Sequence, residues 1–248
     1  MPSDNQPDLT DWKEFLFKLK NPKQGINIGL VGKYVELKDA YKSILEAFVH
    51  ASAVNEVKVK VKMVHSESLN DSTVDQQLEG LDGILVAPGF GPRGIEGKIA
   101  AIPFLGICLG MQCAVIEFGR NVLGFKDAHS TEMNPATSYP VIDIMEEQKK
   151  ITNMGGTMRL GAYSCSILPE SLTARVYGIN ELHERHRHRY EFNNHYLDDY
   201  NNHGMKIVGM NTANNLVEIV ELSDHPWFIG VQFHPEYRST VANPHPLF

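Results

Sequence analysis

Positive charge is in short supply in this chain: 23 lysines and arginines stand against 30 aspartates and glutamates, a formal net charge of -7 over 248 residues. A surface of that sign has no general attraction for nucleic acid or anionic lipid. Cysteine is scarcer still. The three present, Cys108, Cys113 and Cys165, are an odd number at spacings that suit neither a disulfide framework nor a zinc site. Such usage fits a reducing compartment. Long apolar runs are missing as well, and none approaches the length needed to cross a bilayer. The opening residues, Met1-Pro2-Ser3-Asp4-Asn5-Gln6-Pro7-Asp8, are polar and acidic, unlike a secretory signal. Internal repeats and low-complexity segments are absent. A cytoplasmic protein with no membrane or nucleic-acid partner is the expectation.

What the chain does have is 42% hydrophobic residues, enough for one large core. Residues 1–24 read as a linker with a short helix, capped by Thr10, whose apolar positions Trp12, Phe15, Leu16 and Leu19 share a side. Asn21 to Gly25 breaks it. From Gly25 short strands and helices alternate. Strands are predicted at Ile26 to Val31, Val57 to Val64 and Gly83 to Val86, and another precedes Cys108. Helices are predicted at Asp39 to Ala53, at Gly94 to Ile102 and after Cys108. This order predicts an α/β fold with a doubly wound, largely parallel, flavodoxin-like sheet whose sites lie beyond the carboxyl ends of its strands. The later part is more strand-rich, with runs at Val141 to Ile144, Ala162 to Ile167, Val217 to Glu221 and Phe228 to Phe233. Residues 25–248 are expected to form one domain.

The chemistry centres on Gly106-Ile107-Cys108-Leu109-Gly110-Met111-Gln112. A strand, a nucleophile between two glycines and a helix make a nucleophile elbow written with sulfur. The glycines are needed because the turn leaves no room for side chains beside the nucleophile. The helix N-terminus favours thiolate, the reactive form. Far along the chain Phe233-His234-Pro235-Glu236 also ends an apolar run, so His234 is expected on the same rim. Glu236 would fix the imidazole tautomer that accepts the thiol proton. Gly89, in Pro88-Gly89-Phe90-Gly91, and Leu109 can each lend a backbone N–H to an oxyanion; the P-loop's Gly-Lys-Ser/Thr is lacking, which argues against phosphate there. Cys113 and Cys165 read as inert core. Glu184-Arg185-His186-Arg187-His188-Arg189-Tyr190 is the densest basic run. It is read as a solvated surface or anion site, with an arginine gripping a carboxylate and no metal shell around its histidines.

With these residues assembled, the chain resembles the class I, triad-type glutamine amidotransferase domains of the CTP synthase family. The elbow and the late His-Pro-Glu mark the superfamily. The narrower resemblance lies in Gly29 to Tyr34, Arg93 to Lys98, Ser130-Thr131-Glu132, Gly155 to Gly161, Glu184 to Arg189 and His225 to Phe228, and covers about Gly25 to the end. It implies that Cys108 attacks the glutamine side-chain amide, with His234 as base and then acid. Gln112, Glu132 and Arg189 match positions that grip the glutamine backbone end. Gly155 to Gly161, with Arg159, matches a lid, and Lys33 and Phe90 match neighbours of the GTP activator. For the longer enzyme it implies a synthetase domain using UTP, ATP and Mg²⁺, ammonia passing between the domains, and a homotetramer; this domain itself needs no cofactor or metal.

Two departures stand out. The loop reads Ala87-Pro88-Gly89-Phe90 where the family commonly has Pro-Gly-Gly-Phe, and Lys98 to Pro103 is shorter than the family's helix by roughly two turns. The synthetase domain that precedes this region in the family is not in the sequence, so the glutaminase half alone is expected, with residues 1–24 as its interdomain linker. Two other readings share these residues. A γ-glutamyl hydrolase or cysteine peptidase on the same fold would not need Gly155 to Gly161. A catalytically silent regulatory module would have no need for Cys108, His234 and Glu236 together.

Overall fold

The computed structural model describes residues 7–37, 39–101, 105–144 and 158–248. Its centre is a nine-stranded sheet in the order β2-β1-β3-β4-β12-β11-β10-β7-β8. The first half is built from β1 (Gln24–Gly32), β2 (Val57–His65), β3 (Gly83–Val86), β4 (Leu105–Ile107) and β12 (Ile229–Val231), all parallel. The second half, β11 (Leu216–Leu222), β10 (Met205–Asn211), β7 (Arg159–Ile167) and β8 (Glu181–His188), continues antiparallel from β12. A second sheet holds β5 (His129–Ser130), β6 (Pro140–Ile144) and β9 (Tyr190–Phe192).

Parallel strands need long crossovers, and the helices supply them on both faces. On one face α2 (Lys42–Val54) buries Ile44 and Phe48 against Leu30, Leu85, Ile107 and Val231. On the other, α4 (Ile95–Ala100) and α5 (Leu109–Asn121) pack Ile95, Ile99, Met111, Val115 and Phe118 against Val217, Val220 and Phe228. Strand β11 is buried along nearly its whole length, as a strand covered on both faces must be. At the sheet's edge β2 alternates valine with lysine, and among the described residues it pairs only with β1. The lysines there also discourage pairing with another chain.

Several expectations change. Thr10 is not the cap of α1 (Thr10–Lys20) but its first residue: the Asp8 carboxylate accepts from its backbone N–H at 3.0 Å and its hydroxyl at 2.6 Å. Within that helix Phe15, Leu16 and Leu19 are half-buried, whereas Trp12 stays exposed and stacks on Phe15. The helix predicted from Gly94 to Ile102 is only six residues long, with Gly94 at φ 70° as its cap; Ile102 lies outside the described residues. The run Glu184 to His188 is a solvated surface on one face only. It belongs to β8, where Leu182, Glu184, His186 and His188 are buried and the residues between them exposed. A period of two was written there in charged letters, which hydrophobic patterning does not register. Strands β5, β8 and β9 were unforeseen for related reasons, being short or rich in polar residues, whereas β10, with Met205, Ile207, Val208 and Met210, carried an apolar run that could have been read.

Candidate active site

The rim beyond the carboxyl ends of β3, β4 and β12 gathers the chemistry. β4 and β12 run in register, Val231 opposite Ile107, and each chain continues outward from there. The next residue on the β4 side is Cys108, whose N–H donates to Val231 O at 2.7 Å; His234 follows β12 and donates its N–H to Arg185 O at 2.7 Å. Two neighbouring strands thus deliver sulfur and imidazole to one place.

Cys108 takes φ 52° and ψ -104°, a conformation rare for a side chain larger than hydrogen, and stands as the cap of α5. The flanking glycines show what permits this. A Cβ at Gly110 would lie 2.2 Å from Val86 O, and one at Gly106 would lie 2.9 Å from Gly110 C and Met111 N. The helix can approach the sheet edge only with both side chains deleted.

His234 and Glu236 are both buried, and His234 Nδ1 meets Glu236 Oε1 at 2.8 Å. That contact commits Nδ1, leaving Nε2 without another good hydrogen-bond partner and available to the thiol. Burial by itself would disfavour the imidazolium. The Cys108 charge and hydrogen bond, reinforced by Glu236, outweigh it and hold the His234 pKa up at about 11. The imidazole is therefore set to hold a proton beside the sulfur. By contrast burial pushes the Cys113 thiol up to about 12 and the Cys165 thiol higher still.

Beside the sulfur lies a narrow cleft lined by Gly89, Phe90, Cys108, Gln112, Glu132 and Arg189 together with His188 and Tyr190. Six residues named from the sequence thus converge, drawn from four separate stretches of chain. Leu109 is at the same corner: its side chain is 3.5 Å from where a Cβ on Gly89 would sit. Glu132 is tied to the loop, its Oε1 accepting from the Gly91 N–H at 3.2 Å. Gln112 donates through Nε2 to Tyr190 O at 2.9 Å and to Gln232 Oε1 at 3.1 Å. Its amide oxygen is left as the group it can offer a ligand.

The residues assigned to a lid or to GTP occupy distinct settings. Arg159 is buried in β7, its guanidinium 2.6 Å from Glu218 and 3.4 Å from Glu191 and stacked on Tyr163, so it is held inside the sheet rather than on a lid. The remainder of that stretch, Gly155 to Thr157, lies outside the described residues. Lys33 is also buried and donates its ammonium to Phe90 O, fastening the loop after β3 to the end of β1, while Phe90 itself remains partly exposed.

Residues missed in the sequence surround this machinery. Lys98 is buried and donates to Ala87 O at 2.6 Å and Pro88 O at 3.4 Å. Burial brings its pKa down to about 8. Its spacing from Ile95 and Ile99 along one helical face was a readable signal. His186 Nδ1 and His188 Nε2 are 2.8 Å apart, and burial, with the charges of Arg159 and His234 nearby, keeps both rings neutral. Glu218, pushed up to about 7 by burial against the pull of Arg159, completes the group behind the cleft. Among the described residues no cluster of side chains has metal-ligand form, and no helix is long and apolar enough to cross a membrane.

Comparison with known proteins agrees with this arrangement. The family model for class-I glutamine amidotransferases matches residues 36–248. A CTP synthase of Flavobacterium johnsoniae is 60% identical over 256 aligned positions, covering all of this chain and 48% of the relative. One from Cytophaga hutchinsonii is 62% identical, covering 99% and 47%. The chain thus spans about half the length of the curated relatives it matches. Alignment over 256 positions against 248 residues also means that at least eight aligned positions have no counterpart in this chain. Among solved structures, the glutaminase domain of Trypanosoma brucei CTPS with bound acivicin superposes at a TM-score of 0.84, with 39% identity and 90% of each chain covered. The chain belongs to the class-I glutamine amidotransferase family, in the group of domains carried by CTP synthases.

Proposed function

We propose that this chain hydrolyses L-glutamine and supplies the ammonia for ATP-dependent amination of UTP to CTP by a synthetase domain of the same enzyme. The observation that carries the reading is the meeting of Cys108, His234 and Glu236 at the mouth of a cleft lined by one carboxylate and one guanidinium. Glu132 suits an α-ammonium and Arg189 an α-carboxylate, so an amino acid enters with its side-chain amide toward the sulfur. The Trypanosoma brucei domain holds acivicin, a glutamine analogue.

In this mechanism the Cys108 thiolate attacks the amide carbon, and the N–H groups of Gly89 and Leu109 receive the oxyanion. His234, already protonated, gives its proton to the leaving nitrogen, and ammonia departs as the C–N bond breaks. The neutral imidazole then takes a proton from water, whose oxygen attacks the thioester. Collapse releases glutamate and returns thiolate and imidazolium. Glu236 holds the ring in register throughout. Phosphorylation of UTP with ATP and Mg²⁺, activation by GTP and assembly as a homotetramer belong to the longer protein, with residues 1–24 as the connection to its synthetase domain. A cytoplasmic location follows from the same reading.

The test is ammonia release from glutamine, first with this chain alone and then with a separately expressed synthetase domain, UTP, ATP, Mg²⁺ and GTP. Weak release alone that rises on reconstitution and vanishes in Cys108→Ala supports the proposal. Absence of release in every mixture, or release indifferent to Cys108→Ala, overturns it.

A further inference from the structure

Gln232 lies between β12 and His234, fully buried. Its backbone is pinned by a 2.8 Å hydrogen bond from its N–H to Glu218 O. Its side chain joins two residues of the site: Oε1 accepts from Gln112 Nε2 at 3.1 Å, and Nε2 donates to Cys108 Sγ at 3.7 Å, an ordinary length for an N–H to sulfur contact.

The direction of this chain is fixed at its far end. Tyr190 O is a backbone carbonyl and can only accept, so the Gln112 amide must present its NH₂ group to it. That same NH₂ group also faces Gln232, which must therefore present its oxygen to Gln112 and its own NH₂ to the sulfur. Both amide flips follow from one carbonyl that cannot donate. Sulfur thus receives a neutral donor on one side, with the imidazole interacting from elsewhere.

We propose that Gln232 is a catalytic residue of this site: its side-chain N–H steadies the Cys108 thiolate before attack and again when the thioester expels it, and its carbonyl links the nucleophile to the substrate-facing Gln112. A hydrogen bond to an ionised acceptor is stronger than one to its neutral form. The contact therefore favours thiolate over thiol and aims the sulfur. The inference deepens the proposed glutaminase mechanism and rests on it for the role of Gln112; the contact with sulfur can be tested without glutamine.

The experiment compares the full chain with Gln232→Met, which keeps bulk but cannot donate, and Gln232→Glu, which keeps an acceptor for Gln112 but sets a carboxylate against sulfur. Alkylation of Cys108 by iodoacetamide is followed against pH by mass spectrometry. In both variants the acid limb of the rate profile is expected to move up by roughly one pH unit, about what one charge-assisted hydrogen bond contributes, with more movement in Gln232→Glu. Glutamine turnover should fall mainly in kcat. A folded Gln232→Met variant with an unchanged alkylation profile overturns the proposal. If either variant loses its cooperative melt, NMR of the unsubstituted chain reads the same contact. The Gln232 side-chain amide protons should shift as Cys108 ionises, and indifference to that ionisation overturns the proposal. Failure of the glutaminase reading would show separately, as a chain whose sulfur profile depends on Gln232 but which releases no ammonia from glutamine under any reconstitution.

Discussion

His234 and Glu236 are separated by one proline and meet at 2.8 Å through Nδ1 and Oε1, both side chains buried. Pro235 opens a single helical turn, Pro235–Tyr237, and this turn brings the carboxylate back beneath the imidazole. Replacing the carboxylate while keeping its shape isolates its effect. Glu236→Gln should retain the fold and lower kcat for glutamine hydrolysis by about 10²–10⁴-fold, because the imidazolium loses its counter-charge and its fixed tautomer. Steady-state ammonia release alongside a thermal melt checks both halves.

Selective reactivity follows from the contrast among the three thiols. Cys108 has an imidazolium beside it, whereas Cys113 and Cys165 are buried with thiols held well above the ordinary range. At neutral pH a glutamine-like electrophile should label Cys108 alone, at least 10²-fold faster than the other two. Peptide mapping after limited exposure decides this, and equal labelling at all three positions would contradict it.

The close approach of α5 to the sheet predicts a steric cost at the elbow. A Cβ at Gly110 meets backbone, Val86 O, rather than the end of a flexible side chain. Gly110→Ala should therefore destabilise the chain by about 1–3 kcal/mol and displace the nucleophile. Urea unfolding measures the first effect and Cys108 alkylation the second.

Glu218 gives a pH signature of stability. Its carboxyl is pushed up from 4.5 to about 7, burial outweighing Arg159. The folded state then binds its proton more tightly than the unfolded chain does. Its contribution is greatest below pH 4.5 and is lost as pH rises through 7. Between those values Glu218→Gln should show a shallower fall in stability than the unsubstituted chain, read from urea midpoints at intervals of pH. Parallel curves would refute the assignment.

Much of the site was legible because its chemistry is local in sequence. Gly106 to Gln112 encodes the elbow in seven residues, and His234 with Glu236 encodes the proposed base and its orienting carboxylate in three. The strands β1, β2 and β3 were readable because a half-buried edge and a buried centre impose different, recognisable spacings. Strand β8 was not, since its buried face is made largely of glutamate and histidine whose partners the local spacing does not reveal: Glu184 meets His245 near the C-terminus, and His186 meets His188 of the same strand. The burial of Lys33, Lys98 and Arg159 was hidden for the same reason. A charged letter reads as solvent-facing until the carbonyl or carboxylate that receives it is known.

The sequence by itself determined two local pieces, the proposed nucleophile with the glycines that expose it and the proposed base with its carboxylate, because each piece is specified within a few residues. Tertiary structure alone decided which groups surround the sulfur. Gln232 and Cys108 touch only because β4 and β12, distant in the chain, lie side by side and in register. Hydrogen bonds across a sheet depend on strand order and register, and neither is written in any one segment.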